Sequence, residues 1–230
     1  MKTAVILPVY NEAGCLRSVL YNLRDALCPL QQYDLQVVAV DDGSNDGSGD
    51  IIKQMAAEWD ALRLIRCAHH RGYGSAIRTG LAAVKYCDAV AIMDSDGQFD
   101  AGDLAKLFSL LPDADIAAGV RHPRADSVLR RMLGRCGSRL ARTLYRTRLK
   151  DLNCGMKVFR REVIESLSLK SSGGAIYLEI FCQPSIRGFR IAELPVQHHP
   201  RLTGRASGCR INTLLGIWRD SLPLLVNSSG

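Results

Sequence analysis

The stretch Ala89-Val-Ala-Ile-Met-Asp94-Ser-Asp96-Gly-Gln98-Phe-Asp100 decides the fold. Its first five residues are uninterruptedly apolar and read as a buried strand. The strand stops at two carboxylates one residue apart. Residues i and i+2 of a strand share a side, while Gly97 signals that the chain is already turning. Two carboxylates and an amide at the C-terminal end of a strand make a hard-oxygen set suited to Mg²⁺ or Mn²⁺. Ligands of parallel α/β sheets sit at that same end. An exposed acidic turn would show the same spacing, so the surrounding chain has to separate the two readings.

Working outward, the pattern of the acidic strand recurs. Residues 3–9 form a continuous apolar strand that runs into Pro8-Val-Tyr10-Asn-Glu12. Pro8 lacks the N–H that a central ladder position requires, so the backbone is expected to leave the ladder there. A helix follows, with Leu16, Val19, Leu20, Leu23 and Leu27 at i, i+3, i+4 spacing. A second strand, Leu35 to Val40, enters Asp41-Asp42-Gly43-Ser44-Asn45-Asp46-Gly47-Ser48, which is turn chemistry ending in a helix N-cap. A helix over 48–58, a short strand Leu62–Arg66, and a helix opened by Arg71-Gly72-Tyr73-Gly74 lead to the acidic strand. A helix from near Asp100 carries Leu104, Leu107 and Leu111, and a fifth strand, Asp115–Gly119, ends at Arg121. Strands and helices alternating through short links predict an α/β, Rossmann-like, mostly parallel central sheet flanked by helices.

Three strand ends then meet on one edge: Pro8–Glu12, Asp41–Ser44 and Asp94–Gln98. A carboxylate on an early strand commonly holds a ribose or base edge, while a later acidic pair suits metal and diphosphate. Taken singly, Asp41-Asp42-Gly-Ser also reads as a capped turn. Arg71-Gly-Tyr-Gly reads as a flexible loop before a helix, and it lacks the spacing of the Rossmann and P-loop fingerprints.

Composition narrows the function classes. The 230 residues have 47% apolar content, enough for one large core, and a formal net charge of +7. Residues 1–120 carry 10 Lys and Arg against 16 Asp and Glu, whereas residues 121–230 carry 20 against 7. An acidic half joined to a basic half suggests an anion held between them. The arginines are not interleaved with stacking aromatics and no nucleic-acid motif occurs, which leaves a phosphate-bearing small molecule or lipid head group. The 8 cysteines are scattered without a CxxC pair, which argues against zinc and for reduced thiols in a cytosolic compartment. No apolar run is long enough to span a membrane, and the N-terminus does not read as a signal peptide.

Beyond Arg121 a basic amphipathic helix is expected over 127–147, with Arg130 and Arg131 among its six arginines. A loop from Asp151 leads into a strand ending at Phe159. A helix over 175–187 carries Glu179, and a strand spans 190–196. Residues 198–210 form a basic, glycine-bearing loop. Residues 211–230 form an amphipathic C-terminal segment able to lie on a membrane surface. His198 and His199 are poor metal ligands as a pair, because adjacent side chains in extended chain point apart.

The motifs PVYNE (Pro8–Glu12), VDDGSNDGS (Val40–Ser48), RGYGSAIRTGL (Arg71–Leu81), MDSDGQFD (Met93–Asp100), DLNCGMKVFRREV (151–163) and ELPVQHHPRLTGRAS (193–207) occur in one order along nearly the whole chain. Together they resemble the family 2 glycosyltransferases of GT-A fold, in the dolichyl- and polyprenyl-phosphate mannose or glucose synthase branch. The resemblance implies a catalytic domain over 1–210, with a nucleotide-sugar and metal half (1–120) and an acceptor half (121–210). It implies that Pro8, Tyr10, Glu12 and Asp42 embrace the nucleoside. Asp94, Asp96 and Gln98 would bind Mg²⁺ or Mn²⁺ and, through it, the donor diphosphate, with Asp96 central to catalysis. Arg121 and Arg130 match positions that hold phosphate groups, Arg131 being the alternative register. Arg201 and Arg205 match a loop that closes over the donor.

The expected reaction is inverting transfer of a hexose from a nucleotide sugar of the GDP-mannose or UDP-glucose type to a polyprenyl phosphate, in the cytoplasm, either free there or peripheral on the cytoplasmic face of a membrane, with no nucleic-acid partner. A lipid phosphate is already an anionic nucleophile, so it needs cations more than a base. A soluble hydroxyl acceptor would instead need a carboxylate base, for which Glu179 and Asp151 are the candidates. Glu179 also reads as a structural partner of an arginine. The absence of a QxxRW motif counts against processive polymerisation. A catalytically silent nucleotide-sugar-binding subunit is the remaining reading, opposed by the intact acidic set.

Overall fold

The computed structural model describes residues 1–28, 34–122 and 149–201. The expected basic helix with Arg130 and Arg131, the loop residue Arg205 and the segment 211–230 lie outside them. In chain order the described elements are β1 (Thr3–Val9), α1 (Ala13–Leu27), β2 (Leu35–Asp41), α2 (Ser48–Ala56), β3 (Leu62–Arg66), α3 (Tyr73–Ala83), β4 (Ala89–Met93), α4 (Gly102–Phe108) and β5 (Ile116–Arg121). They continue with β6 (Met156–Arg160), α5 (Arg161–Ser166), α6 (Ile176–Ile186) and β7 (Ile191–Val196).

The strands form one sheet in the order β3-β2-β1-β4-β6-β5-β7. All pair in parallel except β6, which runs antiparallel to both β4 and β5. The mostly parallel sheet expected from the alternation is therefore present. The direction of β6 and the short helix α5 are findings that the sequence pattern did not predict.

The continuous apolar character of β1 has a direct cause. Val5, Leu7 and Val9 face a layer built by α1, α2 and α4, while Ala4 and Ile6 face the opposite layer with Ile77, Leu81, Ile180 and Phe181. A strand covered on both faces has no polar position to offer. Helix α1 buries Leu16, Val19, Leu20, Leu23 and Leu27, the stripe its spacing predicts. Pro8 leaves the ladder on one side only: the β1–β2 pairing continues through Pro8–Val40 to Val9–Asp41. The β1–β4 ladder stops at Ile6–Ile92, and beyond it the Pro8 carbonyl accepts a 2.7 Å hydrogen bond from the Ser95 hydroxyl.

Parallel pairing of β1, β2 and β4 carries the loops after all three to one edge. Helix α3 lies close under this region because Gly80 lacks a side chain; a Cβ there would come within 2.5 Å of Ile6 Cγ2. Forcing a larger side chain into such a contact costs about 1–3 kcal/mol. Gly80→Val is accordingly expected to lower the unfolding free energy by about 1–3 kcal/mol, read as a lower urea midpoint at an unchanged slope of the transition.

Candidate active site

The loops after β1 and β2 are joined by side chains that satisfy each other's backbone. Asn11 N donates to Ser44 Oγ (3.0 Å), Asn45 N to Asn11 Oδ1 (3.0 Å), Glu12 N to Ser48 Oγ (3.0 Å) and Ala13 N to Asp46 Oδ2 (2.9 Å). Asn11 adopts a left-handed φ of 55° to make this crossing, a conformation asparagine tolerates. The expected N-cap at Ser48 takes another form. Gly47 caps α2 without a side-chain bond, and Ser48 is used to hold Glu12.

Asp42 is buried, and its carboxylate gathers the loop before α3. Oδ1 accepts from Arg71 N (3.0 Å), and Oδ2 accepts from Gly72 N (2.7 Å) and pairs with His70 Nδ1 (2.8 Å). The His70 ring stacks on Tyr10, with centroids 3.8 Å apart and planes 23° apart. Gly43, at φ +74°, makes this approach possible, since a Cβ would come within 2.5 Å of the His69 backbone. Pro8, Tyr10, Glu12 and Asp42 thus lie around one edge. His70 is an addition that the sequence reading missed, although it immediately precedes the quoted RGYG motif.

Asp94 follows β4 directly. Its N–H donates to Gly155 O (3.1 Å), and its Oδ1 accepts from the Tyr73 hydroxyl (2.6 Å) and from that of Tyr177 (3.4 Å). The two phenols also hydrogen-bond to each other. Burial, followed by the Asp94 charge, pushes both phenols well above the ordinary value of 10.0. Gly155 sits so close that a Cβ would overlap Asp94 Oδ2. Tyr73 and Gly155 fall inside quoted motifs, but Tyr177 carries no sequence signal of its own.

Asp96 accepts from Gln98 N (3.1 Å), and its Oδ2 lies 3.6 Å from Arg201 Nη1. Arg201 also pairs with Glu12, so one guanidinium bridges the loops after β1 and β4. It is brought there by a strand-like contact in which His199 N donates to Gln98 O (2.8 Å) and Gln98 Nε2 to His199 O (3.0 Å). His198 is buried against Phe99 in that contact. Burial first, then the charge of Asp94, pushes the Asp96 carboxyl from 3.8 to about 6, against the opposing pull of Gln98 N–H and Arg201. Burial likewise raises Glu12, with Arg201 opposing.

A divalent cation suits this set. Asp94 and Asp96 crowd like charge that a cation would offset, and the Gln98 amide nitrogen is engaged, leaving its oxygen as the group with ligand chemistry. Among the described residues no three His, Cys, Asp or Glu side chains form a ready-made metal cluster. The coordination sphere would therefore draw on Gln98, water and ligand oxygens, as is usual for Mg²⁺ with phosphates.

Arg121 ends β5 in a buried bidentate pair with Asp151, Nε–Oδ2 2.7 Å and Nη2–Oδ1 2.8 Å. Glu179 is buried, and its carboxylate accepts from Lys170 N (2.8 Å), Ser171 N (3.1 Å) and Ser171 Oγ (2.7 Å). These partners belong to the loop before α6 and not to an arginine, so the expected arginine partner is corrected. The loop held by Glu179 in turn accepts Gly74 N at Ser172 O (2.7 Å).

With this geometry in place, comparison with known proteins is informative. The model of glycosyl transferase family 2 matches residues 4–168. The chain belongs to this family. Similar curated members include an undecaprenyl-phosphate mannosyltransferase of Micrococcus luteus, 27% identical over 90% of this chain and 87% of that protein. A polyprenol monophosphomannose synthase of Mycolicibacterium smegmatis is 27% identical over 91% and 83%. An undecaprenyl-phosphate 4-deoxy-4-formamido-L-arabinose transferase of Klebsiella pneumoniae is 28% identical over 88% of this chain, which spans 61% of that relative's length. Among solved structures, glucosyl-3-phosphoglycerate synthase of Mycobacterium tuberculosis, in complex with Mn²⁺, UDP and phosphoglyceric acid, superposes with a TM-score of 0.72 at 18% identity, covering 100% of this chain and 78% of that one. A mannosyltransferase from Pyrobaculum calidifontis, in complex with GDP-Man and Mn²⁺, gives 0.64 at 22%, covering 96% and 64%. At these identities the structures establish the shared GT-A fold. Among the family member's described residues no helix is long and apolar enough to cross a membrane.

The raised Asp96 carboxyl makes a stability prediction. A group whose folded pKa lies above its unfolded value stabilises in its protonated form, so this contribution is lost as pH rises from 3.8 to about 6. Without added metal, Asp96→Asn is expected to raise unfolding free energy at pH 7.5 by on the order of 2 kcal/mol. The gain should shrink toward pH 4, as read by urea titration at the two pH values.

Proposed function

We propose that this chain is an inverting glycosyltransferase that moves a hexose from a nucleotide sugar to a polyprenyl phosphate. The observation that carries the reading is the convergence of Tyr10, Glu12 and Asp42 with Asp94, Asp96 and Gln98 on one sheet edge. The first group offers an aromatic face and buried carboxylates for a nucleoside, the second a hard-oxygen set for a diphosphate-bound cation. A divalent cation held by Asp94, Asp96 and Gln98 would neutralise the charge that builds on the departing nucleoside diphosphate.

The residues of the chain supply the rest. Tyr10 and His70 present the stacking face for the base, and Asp42 holds the loop that carries His70. Arg201, bridging Glu12 and Asp96, is placed to exchange carboxylate partners for donor phosphate oxygens. Arg121, fixed by Asp151, and Arg130 supply cationic charge for the acceptor phosphate. Arg205 joins Arg201 in the donor loop. Attack by the acceptor oxygen from the face opposite the leaving group inverts the anomeric centre.

The engagement of both candidate base carboxylates favours a phosphate acceptor. Asp151 is bidentate to Arg121, and Glu179 accepts three hydrogen bonds from the loop before α6. A hydroxyl acceptor needs such a base, whereas an ionised phosphate does not. The names of the Micrococcus and Mycolicibacterium relatives support the same acceptor class, and the cation and nucleotide sugars in the neighbouring structures support the donor chemistry. A lipid acceptor would have the enzyme working at a membrane surface, on the cytoplasmic side where nucleotide sugars are available.

The test is a transfer assay with radiolabelled GDP-mannose and UDP-glucose, Mn²⁺, and undecaprenyl phosphate in detergent micelles. One donor is expected to deliver label to the organic phase, and Asp96→Ala should reduce the rate by at least ~100-fold. Label appearing only in a soluble glycoside, with none in lipid from either donor, would overturn the acceptor assignment.

A further inference from the structure

Strand β6 carries a lysine where the interior of a sheet calls for an aliphatic residue. Lys157 lies opposite Ile92 of β4 and Ala118 of β5, and its side chain is fully enclosed. A buried ammonium is unfavourable unless it is compensated, and replacing such a charge with an apolar residue of similar volume is often stabilising. Here the contacts that compensate it are a carbonyl and two aromatic rings. Nζ donates to Cys154 O, lies 3.6 Å from the Tyr177 ring centroid and 4.9 Å from that of Phe181. Burial pushes the lysine down to about 7, while Cys154 and then the charges of Asp94 and Asp151 hold it up and that of Arg121 opposes them.

Tyr177 links this cation to the acidic edge. Its ring face receives Lys157. Its hydroxyl meets the Tyr73 hydroxyl and lies 3.4 Å from Asp94 Oδ1, to which Tyr73 donates at 2.6 Å. Ammonium, two phenols and carboxylate therefore form a continuous line from the sheet interior to the end of β4. The other carboxylate oxygen, Asp94 Oδ2, lies so close to Gly155 that a Cβ there would overlap it. Both carboxylate oxygens thus have neighbours, Oδ1 the phenols and Oδ2 Gly155, while β6 supplies both Gly155's neighbour Met156 and the lysine against the Tyr177 ring.

We propose that Lys157, Tyr177 and Tyr73 are positioning residues for Asp94. Lys157 anchors the Tyr177 ring through its π face, and the two phenols fix the orientation of the Asp94 carboxylate toward the cation and donor diphosphate. This inference rests on the metal-binding reading of Asp94 and Asp96. Groups that orient a ligating carboxylate typically contribute about 10–100-fold to metal affinity. Because Lys157 acts through Tyr177, its contribution disappears once the Tyr177 hydroxyl is gone.

The experiment is Mn²⁺ titration of the full chain, with free Mn²⁺ read by electron paramagnetic resonance, for wild type, Asp96→Asn, Tyr73→Phe, Tyr177→Phe, Lys157→Met and the Lys157→Met/Tyr177→Phe pair. Melting temperature is recorded in parallel. Expected are a loss of about 10-fold in affinity for Tyr73→Phe, smaller losses for Tyr177→Phe and Lys157→Met, and a double variant no weaker than the worse single one. Unchanged Mn²⁺ affinity in both phenylalanine variants, with wild-type binding abolished by Asp96→Asn, would overturn the positioning role and leave the metal site intact. Independent, multiplicative losses in the double variant would overturn action through Tyr177. Wild type that binds no Mn²⁺, with or without UDP or GDP, would overturn the metal reading itself. The phenylalanine variants keep the ring under Lys157, so they decide the matter even if Lys157→Met does not fold.

Discussion

Four carboxylates, Glu12, Asp42, Asp94 and Asp96, are crowded onto one partly buried edge, and the structure around them is arranged to hold that charge. Parallel pairing of β1, β2 and β4 forces the crowding, because each strand delivers its following loop to the same side. Each carboxylate is then held by different chemistry. Backbone N–H groups and His70 hold Asp42, phenols hold Asp94, and Arg201 spans Glu12 and Asp96. Burial raises both the Asp96 and the Glu12 carboxyls, and at Asp96 the charge of Asp94 adds to it. A bound cation would offset this crowding, and without one the buried charge costs stability.

Close approach of backbone makes the arrangement possible. Gly43 admits the His69–His70 backbone, Gly72 and Gly74 admit the loop at 171–173, and Gly155 admits Asp94. Glu179 fixes that loop from below, so the residue matters to the site through the position of α3 and its Tyr73. Helix α6 thereby serves twice, with Glu179 steadying the loop and Tyr177 reaching Asp94. The antiparallel β6 brings Gly155 and Lys157 to the flank of β4, where another parallel strand would present its opposite end.

Much of this was legible in the sequence. The unbroken apolar run of β1 and β4 required a sheet covered on both faces, and the heptad-like stripe of α1 matched the residues it buries. The acidic stretches stood out because each followed an apolar run, and in two of them a glycine, Gly43 or Gly97, came directly after the carboxylates. What the sequence could not show was direction and partnership. Nothing in Met156–Arg160 marks an antiparallel strand, since a buried strand shows the same composition in either direction. Glu179 looked available as a base or as an arginine partner; only its proximity to Ser171 and Lys170 shows it to be a loop staple. Tyr177 and Asp94 lie far apart in the chain, and no periodicity connects them. Arg130 and Arg205 were read from motif position, and they lie outside the described residues.

The measurement that bears most directly on the central claim is calorimetric titration of the protein with UDP and with GDP, in the presence and absence of Mn²⁺, alongside Asp96→Asn. If the crowded edge is a cation and diphosphate site, one nucleotide binds only when Mn²⁺ is present, and the substitution abolishes that binding while leaving the protein folded. Equal binding with and without metal in both proteins, or binding of neither nucleotide to wild type, would contradict the account.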